Sequence, residues 1–282
     1  MRGNISLELD HVALITPDLA SSKEDYERLG FRLTRASSHK GRITPDGPIV
    51  PWGSGNHCAM FHRGYYEILG LTDPNLYHEH FNALAGKYHG VQLIALGCQS
   101  AQELYQNWKN EVAALKAPVE IGRDVPLGLQ GEKTTPGTFR IVHLELDAFP
   151  ESELVFIEHA TRDALWQEQL LDHPNGVVGL SGVTICSYDP DETSRRFETL
   201  TRGALAGGIV SFASPDELSL RFASAVLPSI PCVAVVELAV RDLEATSACL
   251  KANEVTPHPG ENAVWVRPER AGGVVLCFAE GE

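Results

Sequence analysis

Residues Leu7–Leu19 read LELDHVALITPDL, and residues Cys232–Leu243 read CVAVVELAVRDL. Each is an apolar run that closes on an Asp-Leu pair and then gives way to a helical pattern. Runs of this length, bounded by a residue suited to cap a helix, read as buried strands feeding helices. Aligned on the Asp-Leu pair, His11 of the first stretch falls on Val235 of the second. The chain writes one element twice and keeps the histidine once.

Working outward, the same order of elements recurs. After Asp18 the segment SSKEDYERLG has helical spacing and stops at Gly30. FRLTR then reads as a second strand. A Gly/Pro-rich loop follows, and HCAMFHRG and YYEILGL read as two strands joined at Arg63-Gly64. HGVQLIALG, AQELYQNWKNEVAALK, PVEIG, TFRIVHLELD and ELVFIEHA form a second unit. GVVGLSGVTICS, DPDETSRRFETLTRG, GGIVSFAS and ELSLRFAS form a third, and VAVVELAV, RDLEATSACLKANEV, AVWVRP and GGVVLCFAE a fourth. Between the second and third, ATRDALWQEQLLDHPNG reads as a short linker helix ending at Pro174. Strands covered by a helix on one face leave the other face to curve around a ligand, and pairing two such units closes a cleft.

Composition narrows the function. The 282 residues carry a formal net charge of −14 and no basic stripe, which excludes nucleic acid as a partner. No apolar run is long enough to cross a bilayer, and MRGNISLELD has no apolar signal core, so the sequence predicts a cytoplasmic protein. The six cysteines form no Cys-x-x-Cys pair and read as reduced, buried thiols, Cys277 in the last strand included. PLGLQGE lacks the ending of a phosphate-cradling loop, and GLSGV lacks the spacing of a nucleophile elbow.

Together DHVALITPDL, the helix ending in LGF, PWGSGNHCAMF, YYEILG and the closing VWVRPERAGGVVLCF resemble the glyoxalase-like branch of the vicinal oxygen chelate superfamily. The resemblance spans nearly the whole chain. It implies βαβββ modules and does not fix the reaction, because that superfamily hosts lyases, isomerases, dioxygenases and binding proteins. In its metal-dependent members a first-strand histidine and a last-strand glutamate of a module bind a divalent ion; His11 and Glu67 hold those places here. The second module is expected to supply further ligands. It has Val91, Gln92, Leu93 and Ile94 in its first strand, so the third ligand is a choice among His159, Glu158 and His143.

Other candidates follow from pattern. Glu67 shares a strand face with Tyr65 and Leu69, opposite Tyr66 and Ile68. Trp52 and Asn56 sit in a loop where the indole can stack on a substrate and the amide can bond it, with His57 opening the next strand and His39 on the loop's other flank. Arg140 can grip an anionic substrate group; His143, three residues on, faces the other way. His78 and His80 of YHEHF read as a solvated helix face. In the third and fourth units the first-strand position holds Gly182 and Val235, neither able to bind metal, so activity is expected in the N-terminal pair.

The sequence therefore predicts an α+β protein of four tandem βαβββ units paired into two curved-sheet domains. Residues 1–160 are the active pair, 161–175 a linker helix and 176–282 a degenerate pair. The expected function is a divalent-metal lyase, isomerase or dioxygenase acting on a small oxygen-rich molecule. His11, Glu67 and His159 are the metal ligands (Fe, Zn, Ni or Mn), Glu67 and Arg140 the catalytic groups, and Trp52, Asn56, Tyr65 and His57 the substrate contacts. The alternative is a metal-free binder of the same fold. No membrane partner is expected, and homodimerisation by module exchange is open to this architecture.

Overall fold

A computed structural model describes residues 5–44, 47–129, 131–145 and 147–281. In the first unit, β1 (Glu8–Thr16) is followed by α1 (Leu19–Arg28), β2 (Ser37–Arg42), β3 (Ile49–Met60) and β4 (Tyr65–Leu71). A connecting helix, α2 (Glu79–Ala85), leads to the second unit: β5 (Gly90–Gly97), α3 (Ala101–Trp108), β6 (Val119–Pro126), β7 (Thr134–His143) and β8 (Glu153–His159). The linker holds α4 (Arg162–Leu165) and a single 3-10 turn, less helix than its sequence suggests. The third unit has β9 (Val177–Cys186), α5 (Pro190–Thr201), β10 (Val210–Ala213) and α6 (Pro215–Arg221). The fourth has β11 (Cys232–Val240), α7 (Leu243–Ala252), β12 (His258–Gly260), β13 (Ala263–Val266) and β14 (Val275–Glu280). Among the described residues no helix is long and apolar enough to cross a membrane.

The repeat is visible in the helix caps. Asp18, Ser100, Asp189 and Asp242 each follow the first strand of a unit, and each accepts from the backbone N–H three residues on. Such a cap satisfies one orphan donor of the first turn and fixes where strand becomes helix.

The first two units close into an eight-stranded barrel of order β1-β4-β3-β2-β6-β7-β8-β5. Within each unit the first and last strands run parallel, and the units meet at two antiparallel joins, β1 with β5 and β2 with β6. The last two units form an open six-stranded sheet of order β10-β9-β11-β14-β13-β12. One continuous core of buried residues runs through both halves, from Val12 and Tyr66 to Val236 and Phe278. The halves are also stitched by hydrogen bonds, Tyr26 Oη to Ala271 O and His62 N to Val178 O.

Three segments differ from their sequence reading. FRLTR is a connector and not a strand. Its backbone is already committed: Phe31 N–H closes the helix on Tyr26 O, Arg32 N–H donates to His173 Nδ1, and Thr34 N–H donates to Cys58 O. Trp52–Asn56 lies inside β3 and not in a loop. Gly53 serves close backbone approach there, since a Cβ would stand 2.2 Å from Asp73 O. ELSLRFAS begins as a helix because Ser214 and Glu217 form a reciprocal capping box at the start of α6. Leu218 and Phe222 then pack with Ala234, Val235 and Trp265, so this face of the C-terminal sheet is filled by its own chain.

Candidate functional site

Strand alternation decides what enters the barrel. Tyr65, Glu67 and Leu69 of β4, Trp52, Ser54 and Asn56 of β3, Phe139, Ile141 and His143 of β7, and Val155 and Ile157 of β8 all line a cavity of about 270 Å³. α2 packs Phe81 and Leu84 against Ile15 and Leu69 at one end of it. Its polar end is built around Glu67, which is 7% exposed.

His11 Nε2 lies 3.7 Å from Glu67 Oε2, and His39 Nε2 lies 3.8 Å from Glu67 Oε1. Both separations exceed a hydrogen bond. The other nitrogen of each ring is engaged: His11 Nδ1 with Asp10 Oδ1 at 2.7 Å, and His39 Nδ1 with Ser54 Oγ at 3.0 Å. Asn56 donates to Glu67 Oε1 and accepts from Arg123 at 2.5 Å, so a guanidinium fixes the amide and the amide fixes the carboxylate. The Tyr65 ring stacks on His11 with centroids 4.2 Å apart. Burial by itself raises the Glu67 pKa, but His11, His39, Arg123 and the Asn56 amide together hold it below the usual carboxylate value. Burial drives the His39 imidazole down to about 4, which keeps it neutral at pH 7.

A β-bulge shapes the floor of the site. The β1–β5 register passes from Leu9↔Leu96 to His11↔Ala95, leaving Asp10 as the extra residue. A bulge breaks the alternation, so two consecutive side chains reach the same side. Asp10 accepts from His11 Nδ1 and from His159 Nε2, the latter at 2.9 Å. Burial works against ionisation there, yet these two hydrogen bonds keep the Asp10 carboxyl far below its ordinary range. An ionised Asp10 can only accept, so His11 donates from Nδ1, and in the neutral ring Nε2 is then an acceptor aimed at Glu67. Asp10, His11 and His159 form the one group among the described residues whose ligand atoms all lie within 4.8 Å of one another. Those atoms already satisfy each other by hydrogen bonds.

The structure thus brings His11, Glu67, Trp52, Asn56 and Tyr65 to one cavity. His159 points inward but stops behind Asp10, packed edge-on against Trp166 and Phe139. His57 is turned to the other face of β3, bonded to Thr34 O. Arg140 is on the outside of β7, paired with Glu158 at 2.5 Å and Glu120 at 3.4 Å, so neither Arg140 nor Glu158 reaches the cavity. His143 does reach it: its Nδ1 lies 3.1 Å from Glu153 Oε1, and His80 Nε2 lies 3.5 Å from Oε2. Burial raises Glu153, but the two histidines win and hold it far below its usual value, and Glu153 in turn raises His80. The YHEHF segment is therefore not a wholly solvated face, because His80 looks into the barrel.

The register shows what the second unit places at the positions matching His11 and Glu67. Ala13 pairs with Leu93 across the β1–β5 join, and His11 with Ala95. The two-fold between the units therefore carries His11 onto Leu93 and Ala13 onto Ala95. Glu67 pairs with Ala13 and Val155 with Ala95, so Glu67 is carried onto Val155. Two apolar residues stand where a symmetric site would place a histidine and a carboxylate. His39, which the sequence marks only as a histidine flanking the Trp52–Asn56 segment, and Arg123, which it does not single out, are direct partners across the β2–β6 seam that closes the barrel. Their only sequence signal was a polar side chain at alternating positions of short, polar segments.

As a donor set, the Glu67 carboxylate and the imidazoles of His11 and His39 are of the types that hold a divalent ion. The hydrogen bonds on both Nδ1 atoms are the supports that metal-binding histidines ordinarily have.

The model of a family described as a glyoxalase-like domain matches residues 9–201. Among curated proteins no relative matches. A hypothetical protein from Staphylococcus aureus superposes with a TM-score of 0.62 at 11% identity, covering 98% of this chain and all (100%) of that one. A mutant of 4-hydroxymandelate synthase from Streptomyces coelicolor gives 0.54 at 10% identity, covering 99% of this chain and 95% of that one. A xylose isomerase-like TIM barrel/4-hydroxyphenylpyruvate dioxygenase fusion protein gives 0.53 at 11% identity, covering 98% of this chain and 49% of that one. At such identities the likeness is one of fold alone.

Proposed function

This chain belongs to the glyoxalase-like domain family, and on that premise we propose that it is a divalent-metal enzyme acting on a small oxygen-bearing molecule in the barrel cavity, with His11, His39 and Glu67 holding the ion. One observation carries the reading: two imidazole Nε2 atoms face the two oxygens of a single buried carboxylate at 3.7 and 3.8 Å. A buried carboxylate faced by two ring nitrogens just beyond hydrogen-bond distance has room for positive charge beside it, and a divalent cation held by these side chains would supply that charge. A two-histidine, one-carboxylate set with open positions suits ferrous iron in particular; when bound, such an ion polarises a substrate oxygen and stabilises negative charge that develops on it.

The residues of the chain have separable tasks in this reading. Asp10 and Ser54 orient the two rings, so that each presents Nε2 to the cavity. Arg123 and Asn56 hold Glu67 ionised and in one rotamer. Tyr65 covers His11, and the walls formed by Leu93, Ile121, Phe139 and Val155 exclude water from the body of the substrate. His159, proposed from sequence as a ligand, acts here through Asp10.

A metal-free binder of the same fold is the second reading, favoured by the apolar Leu93 and Val155 at the symmetric ligand positions. Elemental analysis of protein purified without chelator separates the two. The enzyme reading expects about one equivalent of Fe, Zn, Ni or Mn per chain, lost in His11→Ala, in His39→Ala and in Glu67→Gln. No bound metal under any supplement would leave the binder.

A further inference from the structure

We infer that the barrel cavity takes a small organic anion, an apolar body carrying one carboxylate, and that Arg123 selects it. The inference rests on the reading of the barrel interior as the functional site and adds the chemical class of its ligand.

Charge is distributed unevenly. The chain as a whole carries −14, yet the fully charged side chains lining the cavity are Lys40, Arg42 and Arg123 against Glu67 alone. Lys40 is answered outside by Asp124 at 2.7 Å, and Arg42 donates to Gly47 O, so both are partly spent near solvent. Arg123 is different. It is 7% exposed, and among the described residues no carboxylate lies within ion-pair distance of it. Its terminal nitrogens reach the amide oxygen of Asn56 and, at 3.7 and 3.8 Å, the sulfur of Cys58. That thiol stays protonated, because burial pushes it up to about 11. A buried guanidinium held by a neutral amide and a thiol has its geometry fixed and its charge only remotely answered, by Glu67 beyond the amide.

Unsatisfied hydrogen bonding points the same way. Two buried polar atoms of the cavity lining have no partner: Arg123 Nε and Trp52 Nε1. Both are N–H donors, and they sit on β6 and β3, on either side of β2. A wall short of acceptors calls for a ligand rich in them. The remaining surface, with Leu69, Leu93, Ile121, Phe139, Val155 and Ile157, is apolar, and about 270 Å³ admits a ring-sized body and excludes a nucleotide. A neutral alcohol or amide leaves the guanidinium charge unanswered, and an amine is repelled by it.

Calorimetric titration of the purified full chain with benzoate, benzyl alcohol and benzylamine tests this, with metal content measured on the same samples. Benzoate is expected to bind at least ten-fold more tightly than benzyl alcohol, and benzylamine not to bind. Arg123→Met is expected to abolish the preference, whereas Lys251→Gln, on the exposed face of α7 away from the cavity, is expected to leave it within two-fold. A carboxylate that merely ligates a metal keeps its preference in Arg123→Met, and that result overturns the inference. Equal affinity for benzoate and benzyl alcohol, or no benzoate binding at millimolar concentration, overturns it on the wild-type protein alone, whether or not Arg123→Met folds. One equivalent of metal without carboxylate preference refutes the anion and leaves the metal reading standing. Preference in metal-free protein does the reverse.

Discussion

His159 donates from Nε2 to both oxygens of Asp10, at 2.9 and 3.0 Å, while Asp10 holds His11 from the other side. A histidine expected as a ligand is thus placed where it steadies the carboxylate that orients one. Supports of this kind are worth roughly ten- to a hundred-fold in metal affinity. Asp10→Asn removes the negative charge and puts an NH2 donor in place of the second oxygen that His159 reaches, and we expect it to weaken metal binding by about that factor, with His159→Ala weakening it less and His11→Ala abolishing it. Competition against a chromophoric chelator gives the ranking. Loss in His159→Ala as complete as in His11→Ala would return His159 to the ligand set.

Gly30 is where the first helix meets the linker. Its φ is +83°, and a Cβ there would stand 2.9 Å from both Asn175 Cβ and Cys249 Sγ. Asn175 in turn donates to Leu29 O and passes its N–H to Gly30 O. Gly30→Ala combines a left-handed conformation with overpacking at a junction of the two halves, and we expect a loss of roughly 2–4 kcal/mol. Urea denaturation at neutral pH measures it. A variant within 0.5 kcal/mol of the parent, roughly the scatter of a neutral surface change, would mean that the halves do not press on each other there.

How much was legible in sequence follows from how local each signal is. The units were readable because each repeats a buried first strand and a capping residue, and Asp18, Asp189 and Asp242 all cap the helices that their patterns announce. His11 and Glu67 were readable because they stand at the places where the resembled family carries its ligands, on two apolar strands buried along nearly their whole length. His39 and Arg123 were not, because β2 and β6 are polar and pair with each other through only two residue pairs, a contact made across 84 residues of chain. Nothing in SSHKGR distinguishes a barrel seam from a loop. FRLTR looked more like a strand than the segment that became one, and the competition was decided by hydrogen bonds to His173 and Cys58 far along the chain. The place of Asp10 depended on a bulge, which local alternation cannot announce.

His173 links the linker to the barrel through its neutral form. Nε2 bonds Met60 O at 2.8 Å and Nδ1 accepts from Arg32 N at 2.9 Å, an arrangement that imidazolium cannot keep. Burial lowers its pKa to about 4 from the ordinary 6.5 of an imidazole. The unfolded chain therefore takes up this proton first. The stability tied to the neutral ring is complete above about pH 6.5 and is lost as pH falls towards 4, by up to about 3 kcal/mol. Denaturation midpoints at pH 7 and pH 4.5 should converge in His173→Gln relative to the parent. An unchanged acid dependence in that variant would remove His173 from the account.

The two-fold of the barrel makes the most demanding prediction. If the register relation of His11 to Leu93 and of Glu67 to Val155 holds in space, Leu93→His with Val155→Glu completes a symmetric set of four donors around one point. Without an ion, the new carboxylate is buried beside Ile141 and Ile157 with His143 as its cross-strand neighbour, and the double variant should lose roughly 3 kcal/mol. With an ion present the added donors convert that cost into affinity, because metal bound only to the folded chain stabilises it by mass action. Melting temperature should therefore depend on added Zn or Ni far more steeply in the double variant than in the parent, and chelator competition should show tighter binding by at least ten-fold. Each single substitution supplies one donor and should fall between the two. A double variant that is destabilised and stays so at saturating metal would show that positions 93 and 155 do not face the ion held by His11 and Glu67, and the symmetry argument for the site would fail with it.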